Sequence, residues 1–176
     1  LAKRLLTNPK RISVAATQAR HENIEQRLMY VDDMAHKGRL LDHLLRDAGL
    51  NQALVFTATK RDADALADQL LSQGHSAAAL HGDMNQRERN RTLVSLRRGQ
   101  VRILVATDVA ARGIDVPGIS HVINFDLPKA AEDYVHRIGR TGRAGSSGIA
   151  VSFASNRDAG NLQKIERYTG QSITAH

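Results

Sequence analysis

Short apolar runs alternate with longer amphipathic stretches through most of this chain, and this alternation restricts the folds open to it. The apolar runs predict strands at 24–31, 53–56, 77–80, 103–106, 121–125 and 148–153. The amphipathic stretches predict helices at 37–48, 59–74, 85–99, 130–138 and 155–170. Such an alternation favours an α/β fold, in which a parallel sheet is covered by helices on both faces.

Three of the predicted helices open with a capping signal. In each, a hydroxyl or amide side chain is followed three residues later by a carboxylate: Thr59 with Asp62, Asn85 with Glu88, and Ser155 with Asp158. Gly74 and Gly99 end two of these helices.

Chemically unusual residues follow the predicted strands. They are Thr57 and Thr59, His81-Gly82-Asp83 and the segment 107–115; the segment 134–145, which begins in the helix predicted at 130–138 and continues into the turn after it, belongs with them. Ligands of parallel sheets bind at the carboxyl ends of strands. We therefore expect these loops to form one continuous functional edge.

The segment 134–145, YVHRIGRTGRAG, is the most unusual of these. Arg137, Arg140 and Arg143 recur every third residue, with glycines between them, and His136 precedes them. Glycine lets a backbone approach a ligand closely, and arginine suits bidentate contact with phosphate. A helix C-terminus capped by glycine is the alternative, but it would need only one arginine and one glycine.

The charge of the chain is +7 and unevenly distributed. Residues 1–22 contribute +4, and six arginines lie between Arg87 and Arg102 against the single acid Glu88. This cluster indicates either a polyanionic partner or a solvated helix face. Aromatic residues make up only 3% of the chain, so a protein that binds nucleic acid with this sequence should grip the backbone instead of stacking on bases.

Other classes of protein are disfavoured by what the sequence lacks. It has no cysteine, so disulfides and cysteine metal sites are not expected. It has no apolar run of about 20 residues, so a membrane span is not expected either. Together these features predict a cytoplasmic location. No Gly-Lys-Ser/Thr loop or Asp-Glu pair after a strand is present. This chain alone should neither bind Mg-nucleotide tightly nor hydrolyse it, although it could supply an arginine finger to another domain. No metal site is predicted.

Three loop residues have two possible roles each. Asp115 is either a turn residue or a carboxylate that accepts hydrogen bonds from ribose hydroxyls. Thr59 and Thr107 are either helix caps or donors to phosphate. Spacing alone does not choose between these roles.

Four segments resemble, in order, the motifs of the second RecA-like domain of DEAD-box RNA helicases. Residues 55–59 (VFTAT) resemble motif IV, 86–89 (QRER) the QxxR motif, 106–115 motif V, and 136–143 (HRIGRTGR) motif VI. The histidine that opens motif VI favours DEAD-box over DEAH-type relatives. The residues around Asn8–Gln26 and in motif IV are most similar to those of the bacterial RhlE group. The resemblance runs from about Ile24 to Gly170.

The resemblance implies a role for each matching residue. Arg140 and Arg143 would reach the γ-phosphate of ATP, with Arg143 as the finger. Asp115, beside Gly113, would hold the ribose, and His136 would couple to the first domain. The residues implied to bind RNA phosphates and sugars are Thr59, Gly82, Gln86, Arg89 and Thr107. Arg112 and Arg137 would be scaffold or interdomain residues.

The resemblance also implies an arrangement of domains and a mechanism. Residues 1–22 would end a preceding RecA-like domain and form the linker, and residues 23–176 would form a RecA-like domain without a P-loop. ATP with Mg²⁺, held by the first domain, and single-stranded RNA would bind across both domains, and closure would bend the RNA and separate short duplexes.

Three functions remain open at this point. The first is the C-terminal half of an ATP-dependent RNA helicase, with RNA-processing proteins as further partners. The second is a non-catalytic RNA-binding or protein-docking module. The third is a DNA translocase or DNA helicase domain of the same superfamily, which the residues of motifs V and VI disfavour.

Overall fold

The computed structural model describes residues 23–142 and 147–175. The predicted domain end and linker at 1–22 lie outside the described residues, and so do Arg143 and Gly145.

Seven strands and six α-helices follow one another along the described chain. The strands are β1 (Ile24–Tyr30), β2 (Ala53–Phe56), β3 (Ala77–Leu80), β4 (Ile103–Ala106), β5 (His121–Asn124), β6 (Gly148–Ala154) and β7 (Thr174–Ala175). The helices are α1 (Met34–Leu45), α2 (Lys60–Ser72), α3 (Gln86–Arg97), α4 (Asp108–Ala111), α5 (Ala131–Ile138) and α6 (Ala159–Thr169), and a 3₁₀ turn at Asn156–Asp158 leads into α6.

All seven strands form one parallel sheet in the order β3-β4-β2-β5-β6-β1-β7. The central strands are in register at their ends, since Ala106 pairs with both Leu80 and Phe56, and Phe56 pairs with Asn124. Neighbouring strands of a sheet lie about 4.8 Å apart. The loops that leave β2, β3, β4 and β5 are therefore brought side by side at one edge of the sheet, the carboxyl edge.

Helices cover both faces of the sheet. On one face, α1 and α2 pack Leu41, Leu45, Leu66 and Leu70 against alternate strand residues such as Val55. On the other face, side chains of α3 and α4 pack against β2 and β4, and side chains of α5 and α6 pack against β1 and β6. The predicted α/β fold with a doubly covered parallel sheet is confirmed.

Most predicted boundaries agree with the structure to within a residue or two. The strands at 53–56, 77–80 and 103–106 are as predicted. The first helix starts three residues earlier than predicted, because the side chain of Asp33 caps it by accepting from the backbone N–H of His36 at 2.8 Å. The short helix α4 and the short strand β7 were not predicted.

Candidate functional site

A cleft of about 270 Å³ opens at the carboxyl edge, between the α4 region and α5. Three of the predicted site residues line it: Gly113, His136 and Arg140. The other lining residues are Phe56, Asp108, Ala111, Arg112, Asp133 and Arg137. The structure thus brings motif V and motif VI together around one space.

Arg140 is held in place by the backbone of both motifs. Its Nη1 donates to the carbonyl oxygen of Ile114 at 2.7 Å, and its Nε donates to the carbonyl oxygen of His136 at 3.2 Å. The side chain is half-buried. Anchoring through two carbonyls orients the guanidinium beside Gly113 at the cleft, and arginine keeps its proton at any working pH.

Arg137, three residues earlier, is an interior residue, only 2% exposed. Its Nε and Nη2 donate to the two carboxylate oxygens of Asp108 at 2.6 and 2.7 Å, while Nη1 donates to Asn124 Oδ1 and to the carbonyl of Asp126. Its guanidinium also lies 4.8 Å from the ring centroid of Phe56. These contacts tie α4, α5 and two strand ends together, which favours the scaffold role implied for Arg137.

The other predicted nucleotide residues are placed differently. Gly113 has a φ of +78°, a conformation that a side chain would strain. His136 is exposed at the cleft, whereas Asp115 is exposed two residues beyond Gly113 and does not line the cleft. Arg143, the predicted finger, lies outside the described residues.

The predicted RNA-binding residues lie where three neighbouring strands end. Thr59 follows β2, Gly82 follows β3, and Thr107 follows β4. Gln86 and Arg89 occupy the first turn of α3. Thr59 and Gly82 are exposed, and Thr107 is half-buried. The sheet therefore brings the five residues to one side of the cleft.

The two threonines differ in their local contacts. Thr59 caps α2, because its Oγ1 accepts from the backbone N–H of Asp62 at 3.1 Å. Thr107 occupies the corresponding position before α4 but makes no side-chain capping hydrogen bond. The cap role left open by the sequence therefore holds for Thr59 and not for Thr107.

Arg89 connects the two parts of the site. Its Nη2 donates to the carbonyl oxygen of Arg112 at 3.5 Å, so α3 touches the segment that carries Gly113. Gln86, three residues earlier, donates from Nε2 to Asn90 Oδ1 at 2.8 Å.

Two acidic residues fix this edge: Asp126, which sequence reasoning did not single out, and Asp83, to which it gave no role. Asp126 accepts from the backbone N–H of Ala58 at 2.9 Å and from Lys37 Nζ at 2.7 Å. The carboxylate of Asp83 pairs with Lys60 Nζ at 2.9 Å, and this hydrogen bond lowers the pKa of Asp83. Each follows a predicted strand closely, and that position was the available signal.

Within the described ranges, no group of three or more His, Cys, Asp or Glu residues is arranged to hold a metal ion. Nor does this part of the chain contain a helix long and apolar enough to cross a membrane.

Comparison with known proteins assigns the chain to a family. The family described as helicase conserved C-terminal domain matches residues 36–145. The ATP-dependent RNA helicase RhlB of Pseudomonas syringae pv. tomato is 44% identical over 99% of this chain, which spans 44% of that protein's length.

Two solved structures extend the comparison. The DEAD-box protein SrmB of E. coli, bound to regulator of ribonuclease activity A, has a TM-score of 0.84 at 43% identity, covering 87% of this chain and 90% of that one. Dbp5 of S. cerevisiae, bound to RNA and ADP BeF₃, has a TM-score of 0.80 at 38% identity, covering 88% of this chain and 41% of that one. The chain belongs to the helicase conserved C-terminal domain family and, within it, to the DEAD-box proteins.

Proposed function

We propose that the full-length protein is an ATP-dependent RNA helicase, and that this domain completes the ATP site of a preceding RecA-like domain. The single observation that carries the proposal is the cleft in which Gly113, His136 and the anchored Arg140 meet. A cation fixed in advance can stabilise the charge of a transferring phosphoryl group without reorganising.

Each nucleotide residue has a distinct task in this proposal. Arg140 and Arg143 contact the γ-phosphate, and Arg143 acts as the finger. Asp115 accepts hydrogen bonds from the ribose hydroxyls beside Gly113, and the exposed His136 contacts the first domain across the cleft. Mg²⁺ stays with the first domain, where the acidic motif of the family holds it.

The same edge of the sheet grips single-stranded RNA in this proposal. Thr59, Gly82, Gln86, Arg89 and Thr107 contact phosphates and sugars. Backbone contacts position a strand without reading its bases, so sequence preference should be slight. That Dbp5, a similar structure, is bound to RNA and ADP BeF₃ supports RNA as the ligand.

Domain closure supplies the mechanical step. ATP and RNA bind across residues 23–176 and the preceding domain, and residues 1–22 form the end of that domain and the linker. Closure bends one RNA strand until a short duplex separates.

The complex of SrmB with regulator of ribonuclease activity A supports a further role in docking RNA-processing proteins. Membership of the RhlE-like group and a cytoplasmic location stay predictions.

ATP hydrolysis tests the proposal directly. Hydrolysis should be measured with and without single-stranded RNA, for residues 1–176 and for the full-length protein. We expect RNA-stimulated hydrolysis by the full-length protein and none by the fragment, because the fragment lacks the P-loop. If neither hydrolyses ATP and the fragment still binds RNA, the domain belongs to a non-catalytic RNA clamp.

A further inference from the structure

The outer face of α3 carries arginines to which the proposed function gives no role. Arg87, Arg91 and Arg98 are four and seven residues apart, so they lie on one side of α3, with Arg98 as the residue that caps its C-terminus. All three are exposed, whereas Leu96 is buried and Leu93 half-buried on the opposite side. We call Arg87, Arg91 and Arg98 the arginine stripe.

The charges of the arginine stripe are not neutralised by the fold. Within residues 23–142 and 147–175, none of the three forms an ion pair or donates a side-chain hydrogen bond, whereas Arg137 and Arg46 pair with aspartates. The acid nearest in sequence, Glu88, accepts from the amide of Asn85 at the start of α3. The arginine stripe is therefore a line of positive charge directed at solvent.

The arginine stripe leads away from the proposed RNA site. α3 begins beside Gly82 at the carboxyl edge and runs back to the opposite edge of the sheet. Its twelve residues span about 18 Å, at about 1.5 Å per residue. At the far end Arg98 lines a cavity of about 510 Å³ with Arg97 and Arg102. Positive charge thus continues from one edge of the sheet to the other.

We propose that the arginine stripe holds the phosphates of an RNA strand that leaves the carboxyl edge, lengthening the RNA footprint of this domain. The inference rests on the proposed RNA binding at Gly82, Gln86 and Arg89. Contact with phosphates needs only exposed cations, because counterion release provides the free energy. Arginine also suits phosphate geometry.

A protein partner is the less favoured occupant of the same face. Protein interfaces have an apolar, largely desolvated core. Among the arginines of the stripe the exposed apolar residue is Val94, 39% exposed, which is too little for such a core. Charge without apolar area favours RNA over an acidic protein.

The test uses the full-length protein and fluorescein-labelled oligouridylate. RNAs of about 6 and about 20 nucleotides lie near the lower end and above the upper end of common single-strand site sizes. Anisotropy gives the affinity of each RNA over a series of KCl concentrations. The stripe variant is Arg87→Gln/Arg91→Gln/Arg98→Gln. The matched control is Arg39→Gln/Arg157→Gln/Arg167→Gln, which removes the same charge from exposed arginines on other elements.

The slope of log affinity against log salt separates the possibilities. This slope is negative, and each phosphate contact to a single strand contributes about 0.7 to its magnitude, so losing three should reduce the magnitude for the longer RNA by about 2. The shorter RNA should lose less, and the control variant should match the wild type with both RNAs. Equal slopes for the stripe and control variants with the longer RNA would overturn the proposal.

Failure of this inference can be told apart from failure of the proposed function. If the wild type binds the shorter RNA but the stripe variant behaves like the control, the arginine stripe alone is refuted. If the wild type binds neither RNA, both are refuted. Thermal unfolding followed by circular dichroism checks that the variants remain folded.

Discussion

Arg137 and Arg140 lie three residues apart but have opposite surroundings. Arg137 is buried among Asp108, Asn124 and the Phe56 ring, while Arg140 faces the cleft from two carbonyl anchors. The spacing in the sequence shows that the arginines form a group. It cannot show which one points inward, because that depends on how α5 packs on the sheet.

Replacing Arg137 should destabilise the fold. Arg137→Met leaves the carboxylate of Asp108 without its partner, and removing one partner of a buried ion pair costs about 3–5 kcal/mol. Because the Asp108 side chain is 32% exposed and keeps some water, we expect about 3 kcal/mol. Urea unfolding measures the loss.

The matched control for that substitution is Arg39→Met, at an exposed position on α1. It should change the free energy of unfolding by no more than about 0.5 kcal/mol. If Arg137→Met is as mild as the control, the buried network does not support the fold as argued. Adding Asp108→Asn to Arg137→Met should restore part of the stability, since it removes the uncompensated charge.

Arg143 should act mainly on the chemical step. In the full-length protein, Arg143→Ala should lower the rate of ATP hydrolysis by about 10³–10⁵-fold, the contribution of an arginine finger. ATP affinity should change little, because a finger stabilises the transition state more than the bound substrate. Steady-state hydrolysis and equilibrium binding of a fluorescent ATP analogue separate the two effects. Unchanged turnover would refute the assignment.

His121 should make stability depend on pH. It is 9% exposed, and burial lowers its pKa from the usual 6.5. The unfolded chain then binds a proton at a pH where the folded chain does not, so stability falls as the pH drops through about 6.5 toward the lowered folded value. Urea unfolding between pH 8 and 5 should show this loss of stability. The loss should be smaller in His121→Asn than in the exposed-site control His43→Asn. Equal pH dependence in both variants would contradict it.

The helices show where local sequence signals are sufficient. The signals at Thr59 and Asn85 predict the starts of α2 and α3, because each cap is a contact between residues three apart. The buried strands were equally predictable, since four consecutive apolar residues leave little choice of structure. α4 and β7 were missed because they are four and two residues long and depend on packing against distant parts of the chain.

The cap of α2 can be separated from RNA binding by substitution at one position. Thr59→Ala removes the oxygen that accepts from the Asp62 N–H and should cost about 1 kcal/mol of stability. Thr59→Asp keeps a cap and should preserve stability, yet it places a carboxylate where an RNA phosphate is proposed.

Those two variants should therefore reverse their order between the two measurements. Urea unfolding should rank Thr59→Asp above Thr59→Ala, and RNA affinity at low salt should rank Thr59→Asp below it, since like charges repel. If both variants bind RNA as the wild type does, Thr59 caps α2 and contributes nothing to the RNA edge.

At the scale of the whole molecule, the parallel sheet brings together residues that are far apart in sequence. The loops after β2, β3, β4 and β5 had to meet, because parallel strands end at the same edge, and this much followed from the sequence. The contact between Arg89 and the Arg112 carbonyl could not be predicted from the sequence, because it depends on the direction of one long side chain.

That contact joins the proposed RNA edge to the nucleotide cleft, so the full-length protein should bind its two ligands cooperatively. A non-hydrolysable ATP analogue should raise RNA affinity by about 5–150-fold, and RNA should raise affinity for the analogue by the same factor. Arg39→Ala, on α1 and outside the cleft lining, provides the control for loss of an exposed arginine. Arg89→Leu removes the donor and should reduce the coupling itself, beyond any loss of RNA affinity. Equal coupling in both variants, measured by fluorescence titration of each ligand with and without the other, would show that the two parts of the edge communicate by another route.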